Sequence, residues 1–160
     1  MRGLIFVLMF VIGVGSAAAQ DYVPYKNFAL RDTSGTVHQL REYVQKNRYV
    51  LVEFWASWCY PCRREVEHLR HLRKMYGERG FEIVGVSLDK TEAELKASMA
   101  ALCIDWPQLT DYRGWHNTAA REYGVEYIPY CVLIDGEGGV VYAGSPDDCI
   151  ERILADKLSD

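Results

Sequence analysis

The chain has 160 residues, of which 49% are hydrophobic and 25% are charged, and its formal net charge at pH 7 is −4. This length supports one domain with a core of ordinary size rather than two, and the composition is typical of a soluble globular protein. The basic residues are dispersed along an acidic chain, so nothing indicates a nucleic-acid-binding protein.

The N-terminal residues are typical of a secretory signal peptide. Arg2 supplies a positive charge, residues 4–14 form an almost unbroken apolar run, and small residues at 16–19 offer a cleavage site. The alternative is an uncleaved membrane anchor, but the uncharged stretch at 3–19 is at the lower limit of the roughly 17 to 25 residues that a spanning helix needs. We expect a signal peptide at 1–19, one domain at 20–160, and a periplasmic or otherwise extracytoplasmic location.

Strands and helices alternate along the rest of the chain. Residues 49–55 are apolar apart from Glu53, which is typical of a strand buried on both faces in the middle of a sheet. Thr91, followed three residues later by Glu94, forms a capping box that marks the start of a helix. In chain order the patterns predict an extended lead-in at 21–30, a strand at 36–40, a short helix at 41–46, the buried strand at 49–55, a helix at 60–76, a second buried strand at 81–88, a helix at 91–102, an extended piece at 106–109, a helix at 115–123, a hairpin of strands at 130–134 and 140–142, and a final helix at 147–158. We predict one α/β domain with a mixed sheet.

Two cysteines, Cys59 and Cys62, stand where the first buried strand gives way to a helix. Cysteines three residues apart in a first helical turn lie close enough to form a disulfide, which requires Cα atoms within roughly 7 Å. Because Cys59 is predicted at the helix N-terminus, unpaired N–H groups and the helix dipole favour its thiolate. We predict that Cys59 is the nucleophile of thiol–disulfide exchange and Cys62 the resolving thiol.

The motif Trp58-Cys59-Tyr60-Pro61-Cys62, preceded by Phe54-Trp55-Ala56 and followed much later by Ile128-Pro129, resembles the thioredoxin superfamily. Segments 28–37, 81–87, 132–135 and 139–141 more narrowly resemble its TlpA/ResA-like envelope thiol–disulfide oxidoreductases. The resemblance implies a thioredoxin-like fold, with a central mixed sheet flanked by helices on both faces, and an enzyme without cofactor or metal. It favours reduction of client proteins, apocytochromes among them as in cytochrome c biogenesis, with electrons from a membrane-bound donor.

Two acidic residues are candidates for proton transfer. Glu53 matches the position of the buried acid beneath the thioredoxin disulfide, where burial raises a carboxyl pKa, and it is predicted to accept the proton of Cys62. The alternative is a strand-end Glu whose carboxylate reaches solvent. Glu65 matches the acid that TlpA/ResA-like reductases place near the cysteine pair, and its alternative is a solvated first-turn Glu stabilised by the helix dipole.

Five residues are candidates for substrate binding. The resemblance implies a cis peptide bond at Pro129 that packs against the disulfide, with the backbone of Ile128 available to an extended client segment. Trp58 is predicted to flank the nucleophile, and Tyr60 and Pro61 to tune the stability of its thiolate.

Two residues depart from the family pattern. Glu67 replaces a helix-kinking proline, and Tyr130 replaces a common threonine, which is expected to narrow the substrate groove. Substrate choice is the property that these departures affect most.

The remaining cysteines are predicted to be small hydrophobic residues, Cys103 and Cys131 in the core and Cys149 the most reachable. A second disulfide among the three is an open alternative. A metal site formed by both motif cysteines with His68 and His71 is rejected, because its spacing fits no zinc pattern. A peroxiredoxin is disfavoured by Ala56, three residues before Cys59. A disulfide oxidase or isomerase with the same site, and a non-catalytic client-binding module, stay open as alternatives.

Overall fold

The computed structural model describes residues 22–146 and 148–159. The predicted signal peptide lies outside the described residues, and so does Asp147, the predicted first residue of the final helix. The elements follow in chain order as β1 Ala29–Asp32, β2 Val37–Gln39, α1 Leu40–Val44, β3 Tyr49–Trp55, α2 Tyr60–Tyr76, β4 Phe81–Ser87, α3 Glu92–Ala101, β5 Gln108–Thr110, α4 Thr118–Glu122, β6 Tyr130–Asp135, β7 Val140–Gly144 and α5 Asp148–Leu158.

The strands form one mixed sheet in the order β2-β1-β5-β4-β3-β6-β7. Strand β3 is central, with β4 parallel on one side and β6 antiparallel on the other. Side chains from both of its faces, such as Val52 and Leu51, are fully buried. A strand covered on both faces reads as a continuous apolar run, so this burial confirms the prediction for residues 49–55. The predicted mixed α/β architecture is likewise confirmed.

Helix α2 packs against the sheet through an apolar stripe at helical spacing. Its buried residues are Cys62, Val66, Leu69, Leu72 and Tyr76. The helix continues without interruption through Glu67, the position where the family pattern has a proline. It ends at Gly77 as predicted, although the left-handed turn that sends the chain into β4 falls three residues later at Gly80, with φ +92°.

Three predicted elements differ from the structure. Strand β1 occupies part of the predicted lead-in. It pairs with the neighbouring β2 and with β5, and β5 lies too far away in sequence to leave a local signal. The extended piece predicted at 106–109 is strand β5, which begins at Gln108 and ends at Thr110. The predicted helix at 115–123 is split, because the side chain of Asn117 caps α4 by accepting a hydrogen bond from the Ala120 N–H at 3.0 Å.

The prediction that Cys103 lies in the core is wrong, because its side chain is exposed. The chain turns at this residue with φ +52°, just after α3 ends. The next residue, Ile104, is buried and occupies the core position instead. Cys131 is buried as predicted. Cys149 is half-buried, so the prediction that it is the most reachable of the three is wrong, and Cys103 is the most exposed.

Within the two described stretches of chain, no helix is both long enough and apolar enough to span a lipid bilayer.

Candidate active site

Three loops leave the sheet at one end and frame the cysteine pair. Strands β3, β4 and β5 run parallel, so the loops that follow them emerge at the same edge, where antiparallel β6 begins. The loop after β3 carries Trp58 and Cys59, and the loop after β5 carries Trp115. The segment before β6 carries Ile128 and Pro129. The topology therefore gathers the predicted site residues at one edge of the sheet.

A buried carboxylate, Asp89, fixes the loop just before Cys59. It accepts hydrogen bonds from the backbone N–H of Ser57 at 3.1 Å and from the Ser57 hydroxyl at 2.6 Å. Its second oxygen accepts one from the Ser87 hydroxyl at 2.8 Å. Asp89 is fully buried, so these bonds satisfy a group whose desolvation would otherwise be costly. These hydrogen bonds fix the backbone just before Cys59 and so help to set the position of that cysteine.

Cys59 and Cys62 form a disulfide at the N-terminus of α2, with their Cα atoms 5.3 Å apart. Cys59 is the N-cap residue, and its sulfur accepts a hydrogen bond from the Cys62 N–H at 3.2 Å. In the reduced protein this donor and the helix dipole favour a Cys59 thiolate. Cys59 is 5% exposed and Cys62 fully buried, so an incoming sulfur reaches Cys59 first. The geometry supports the predicted order of nucleophile and resolving thiol.

The side chain of Glu53 is buried, as the sequence predicted, and its alternative as a solvent-reaching strand-end carboxylate is wrong. Burial raises its pKa from 4.5 to about 8, the indole of Trp106 lowers it in part, and the negative charge of Glu65 raises it further. Among the described residues neither carboxyl oxygen has a partner in hydrogen-bond geometry. A carboxyl with such a pKa can gain and lose a proton near neutral pH.

Glu65 lies in the second turn of α2, and the first turn of this helix contains no acidic residue. Its carboxylate is about one-third exposed and lies 3.6 Å from Nδ1 of His68, whose Nε2 is 3.7 Å from Glu151. The negative charge of Glu65 contributes to the raised pKa of Glu53. Its alternative as a first-turn residue is therefore wrong, but its catalytic role stays a prediction.

The peptide bond between Ile128 and Pro129 is cis, which confirms that expectation. Pro129 directly precedes β6, whose first residue Tyr130 pairs with Phe54 of β3. The rings of Tyr130 and Tyr127 pack edge to face at 5.4 Å. Tyr130 is half-buried beside the predicted client groove. This position agrees with the expectation that its ring narrows the groove more than a threonine would.

Exposed aromatic side chains surround Cys59. Trp58 is 54% exposed and Tyr60 69% exposed, whereas Trp55 is fully buried. The ring of Trp58 lies 6.2 Å from that of Trp115, which is itself exposed. Sequence reasoning missed Trp115, since nothing in its local pattern relates it to Trp58.

Sequence reasoning also missed Asp89, Trp106 and Gln108, three buried polar side chains at this end of the sheet. A polar residue inside an apolar strand was the available signal for Gln108. In the described part of the chain, no three His, Cys, Asp or Glu side chains are grouped so that they could hold a metal ion. No disulfide joins Cys103, Cys131 and Cys149 within those same residues.

Comparison with known families matches residues 22–143 to the AhpC/TSA family. Two relatives are named thiol-disulfide oxidoreductase ResA. That of Halalkalibacterium halodurans is 32% identical over 131 residues, which cover 80% of this chain and 72% of the relative. That of Bacillus thuringiensis subsp. konkukian is 30% identical over 115 residues, which cover 72% of this chain and 64% of the relative. The chain thus spans slightly less than two thirds of the latter protein.

Two solved structures share the fold. A putative thiol:disulfide interchange protein DsbE from Chlorobium tepidum has a TM-score of 0.76 and 28% identity, covering 86% of this chain and 97% of that one. The thioredoxin domain of a thiol-disulfide oxidoreductase from Bacteroides vulgatus has a TM-score of 0.77 and 25% identity, covering 86% and 96%.

Proposed function

Because this chain belongs to the AhpC/TSA family and has a thioredoxin-like fold, we propose that it is a thiol–disulfide oxidoreductase that reduces disulfides in client proteins. The observation that carries the proposal is the Cys59–Cys62 disulfide at the N-terminus of α2, with Cys59 nearer the surface and its sulfur held by a backbone N–H. This arrangement gives one attacking and one resolving thiol, which is what reduction of a disulfide requires.

The proposed reaction has two exchange steps. In the reduced protein the Cys59 thiolate attacks one sulfur of a client disulfide, forms a mixed disulfide and releases the other client sulfur as a thiolate, which takes up a proton. The Cys62 thiol then passes its proton to the Glu53 carboxylate and attacks the Cys59 sulfur. The mixed disulfide breaks, the second client sulfur leaves as a thiolate that takes up a proton, and the Cys59–Cys62 disulfide remains. Two electrons pass from the protein to the client.

The oxidised pair must then be reduced by a second dithiol. We assign this to a membrane-bound donor and place the cycle outside the cytoplasm, on the basis of the apolar N-terminal segment and the family resemblance. Protein clients that must stay reduced there, apocytochromes among them, fit this direction. The cycle needs no cofactor, since every electron is carried by sulfur.

The redox potential is the measurement that tests this function. We expect the Cys59–Cys62 pair to equilibrate with glutathione near the reducing end of the superfamily range, about −270 mV, rather than the oxidising end, about −120 mV. The reduced protein should also cleave a disulfide-linked peptide, and a variant with both cysteines replaced by serine should not. A potential near −120 mV would indicate an oxidase, and a pair that does not equilibrate would indicate a binding module.

The exposed rings of Trp58, Tyr60 and Trp115 are proposed to contact the client residues next to its cysteine. We expect Trp115→Ala to lower kcat/KM about tenfold for a disulfide peptide with an aromatic neighbour, as loss of one aromatic contact typically does. Small disulfides without flanking residues should react as before. Met75→Ala removes an equally exposed apolar side chain from the far end of α2 and serves as the control. Equal losses on both substrates would contradict the contact.

A further inference from the structure

A row of residues crosses the sheet beneath the cysteine pair. Glu53 of β3 is in register with Gly85 of β4, and Gly85 is in register with Gln108 of β5. Residues in register on neighbouring strands point to the same face, so Glu53 and Gln108 face the same layer with only a glycine between them. Both side chains are buried.

The Gln108 side chain lies directly over Gly85. A Cβ atom at Gly85 would come within 2.2 Å of Gln108 Nε2 and 2.3 Å of Oε1, contacts that no side chain tolerates. The absence of a side chain at residue 85 therefore lets the amide extend across β4 toward Glu53. This is a close approach that requires glycine.

Trp55 fixes which way this amide points. Its indole N–H donates to Gln108 Oε1 at 2.7 Å, so the oxygen is occupied. The Gln108 Nε2 group is buried and has no hydrogen-bond partner among the described residues. A buried amide with its acceptor satisfied and its donors unused costs free energy, which favours a state of the protein in which a nearby acceptor takes up these donors.

Trp106 presents a second unused donor. It lies two residues before Gln108 on the same extended segment, which continues along β4 through the bond from the Gly85 N–H to the Pro107 carbonyl at 2.9 Å. Its indole is buried, and Nε1 has no partner in hydrogen-bond geometry in the described residues. The unpartnered atoms thus comprise two donors, Trp106 Nε1 and Gln108 Nε2, and one acceptor group, the Glu53 carboxyl.

We propose that the Trp106 indole N–H and the Gln108 amide N–H form a donor cradle that holds the ionised Glu53 carboxylate, the form that accepts the Cys62 proton during thiol–disulfide exchange. The neutral carboxylic acid leaves the donors idle. The anion is buried, and it accepts hydrogen bonds from both donors, since hydrogen bonds to an ionised group are about twice as strong as those to a neutral one. Trp106 and Gln108 are then positioning residues, with Trp55 and Gly85 holding the amide in place.

Other titratable groups also face Glu53. Across β6, Cys131 is its register partner and is buried. From α2, Glu65 adds a negative charge that opposes ionisation of Glu53, and Cys62 is the buried thiol of the redox pair. Among the described residues, no cation contributes to the pKa of Glu53, and the contribution that favours its anion comes from an N–H donor. The influence of Trp106 on Glu53, which lowers its pKa, has the expected sign.

The cradle is tested by titrating the Glu53 carboxyl by ¹³C NMR in the oxidised full-length protein. Trp106→Phe keeps the ring and removes the donor, and Gln108→Asn keeps the amide but shortens its reach across Gly85. We expect each to raise the midpoint by about one to two pH units, the size of one hydrogen bond to a charged group. Tyr123→Phe, which removes the hydroxyl bonded to Lys26 elsewhere, should leave the midpoint unchanged.

The role in exchange rests on the proposed function and has a separate readout. The midpoint of the pH profile for release of mixed disulfides should rise with the NMR midpoint in both variants. In a Glu53→Gln background Trp106→Phe should produce no such shift, since the group that titrates is gone. Unchanged NMR midpoints in both variants would overturn the cradle while leaving the oxidoreductase function intact. A protein without exchange activity that still shows raised NMR midpoints would overturn the function alone.

Discussion

Replacing Glu53 with Gln is expected to slow the release of mixed disulfides by roughly 10² to 10⁴, the usual contribution of general acid–base catalysis. The substitution keeps the shape of the buried side chain and removes the group that takes the Cys62 proton. The first step, attack by Cys59, should change much less, because its thiolate is favoured by the Cys62 N–H and the helix dipole. Rapid-mixing kinetics with a disulfide peptide separate the two steps.

The same variant should be more stable than the wild type, by an amount that depends on pH. The folded-state pKa of Glu53 is raised from 4.5 to about 8, so between these values the folded protein binds more protons than the unfolded chain. The free energy of unfolding of the wild type therefore falls as pH rises from 4.5 through 8. Glu53→Gln removes this loss, and the gap should reach about 3 kcal/mol at pH 7 and nearly vanish at pH 4.

Denaturant unfolding at pH 4, 6 and 8 measures that gap. Glu78 is an exposed acid just beyond the C-terminal end of α2, far from the cysteine pair. Glu78→Gln is the matched control and should alter neither the release step nor the pH dependence of stability. A Glu53→Gln variant with wild-type release rates and a constant stability difference would show that Glu53 takes no part in proton transfer.

Replacing Cys62 with Ser should convert the protein into a trap for its clients. Without the resolving thiol, the mixed disulfide on Cys59 persists. Covalent complexes should therefore accumulate, appear on non-reducing gels and disappear when dithiothreitol reduces them. Cys59→Ser should form none, because the remaining thiol of the pair is fully buried. Turnover should be lost in both variants, since each removes one of the two sulfurs that exchange.

Cys103→Ser provides the control, because Cys103 is exposed and lies outside the pair. Its substitution in the Cys62→Ser background should leave trapping unchanged if thiolate stabilisation at the helix N-terminus selects the nucleophile. Complexes that form on Cys103 instead would show that exposure decides reactivity, and the assignment of Cys59 would be wrong.

The local sequence was sufficient for the elements that carry the redox pair. Strand β3 and helix α2 have the predicted bounds, 49–55 and 60–76. Both follow from periodicity within a single segment, and the i, i+3 spacing of the cysteines fixes their proximity within one helical turn. Burial of Glu53 followed from its position in an apolar run. The cis bond before Pro129 came from family resemblance, because a proline alone does not specify its isomer.

Cross-strand register and helix ends decided the surroundings of Glu53, the contact between Trp115 and Trp58, and the exposure of Cys103. Gln108 reaches toward Glu53 only because β4 places Gly85 between them, and Trp115 meets Trp58 because parallel strands end at one edge of the sheet. Cys103 is exposed because the chain turns with a positive φ as α3 ends. The sequence by itself determined the position of the cysteine pair at a helix N-terminus and the burial of Glu53, since both depend on neighbours along the chain. The tertiary structure alone decided which N–H donors face that acid, because Gly85, Trp106 and Gln108 lie more than 30 positions away and only sheet pairing brings them to it.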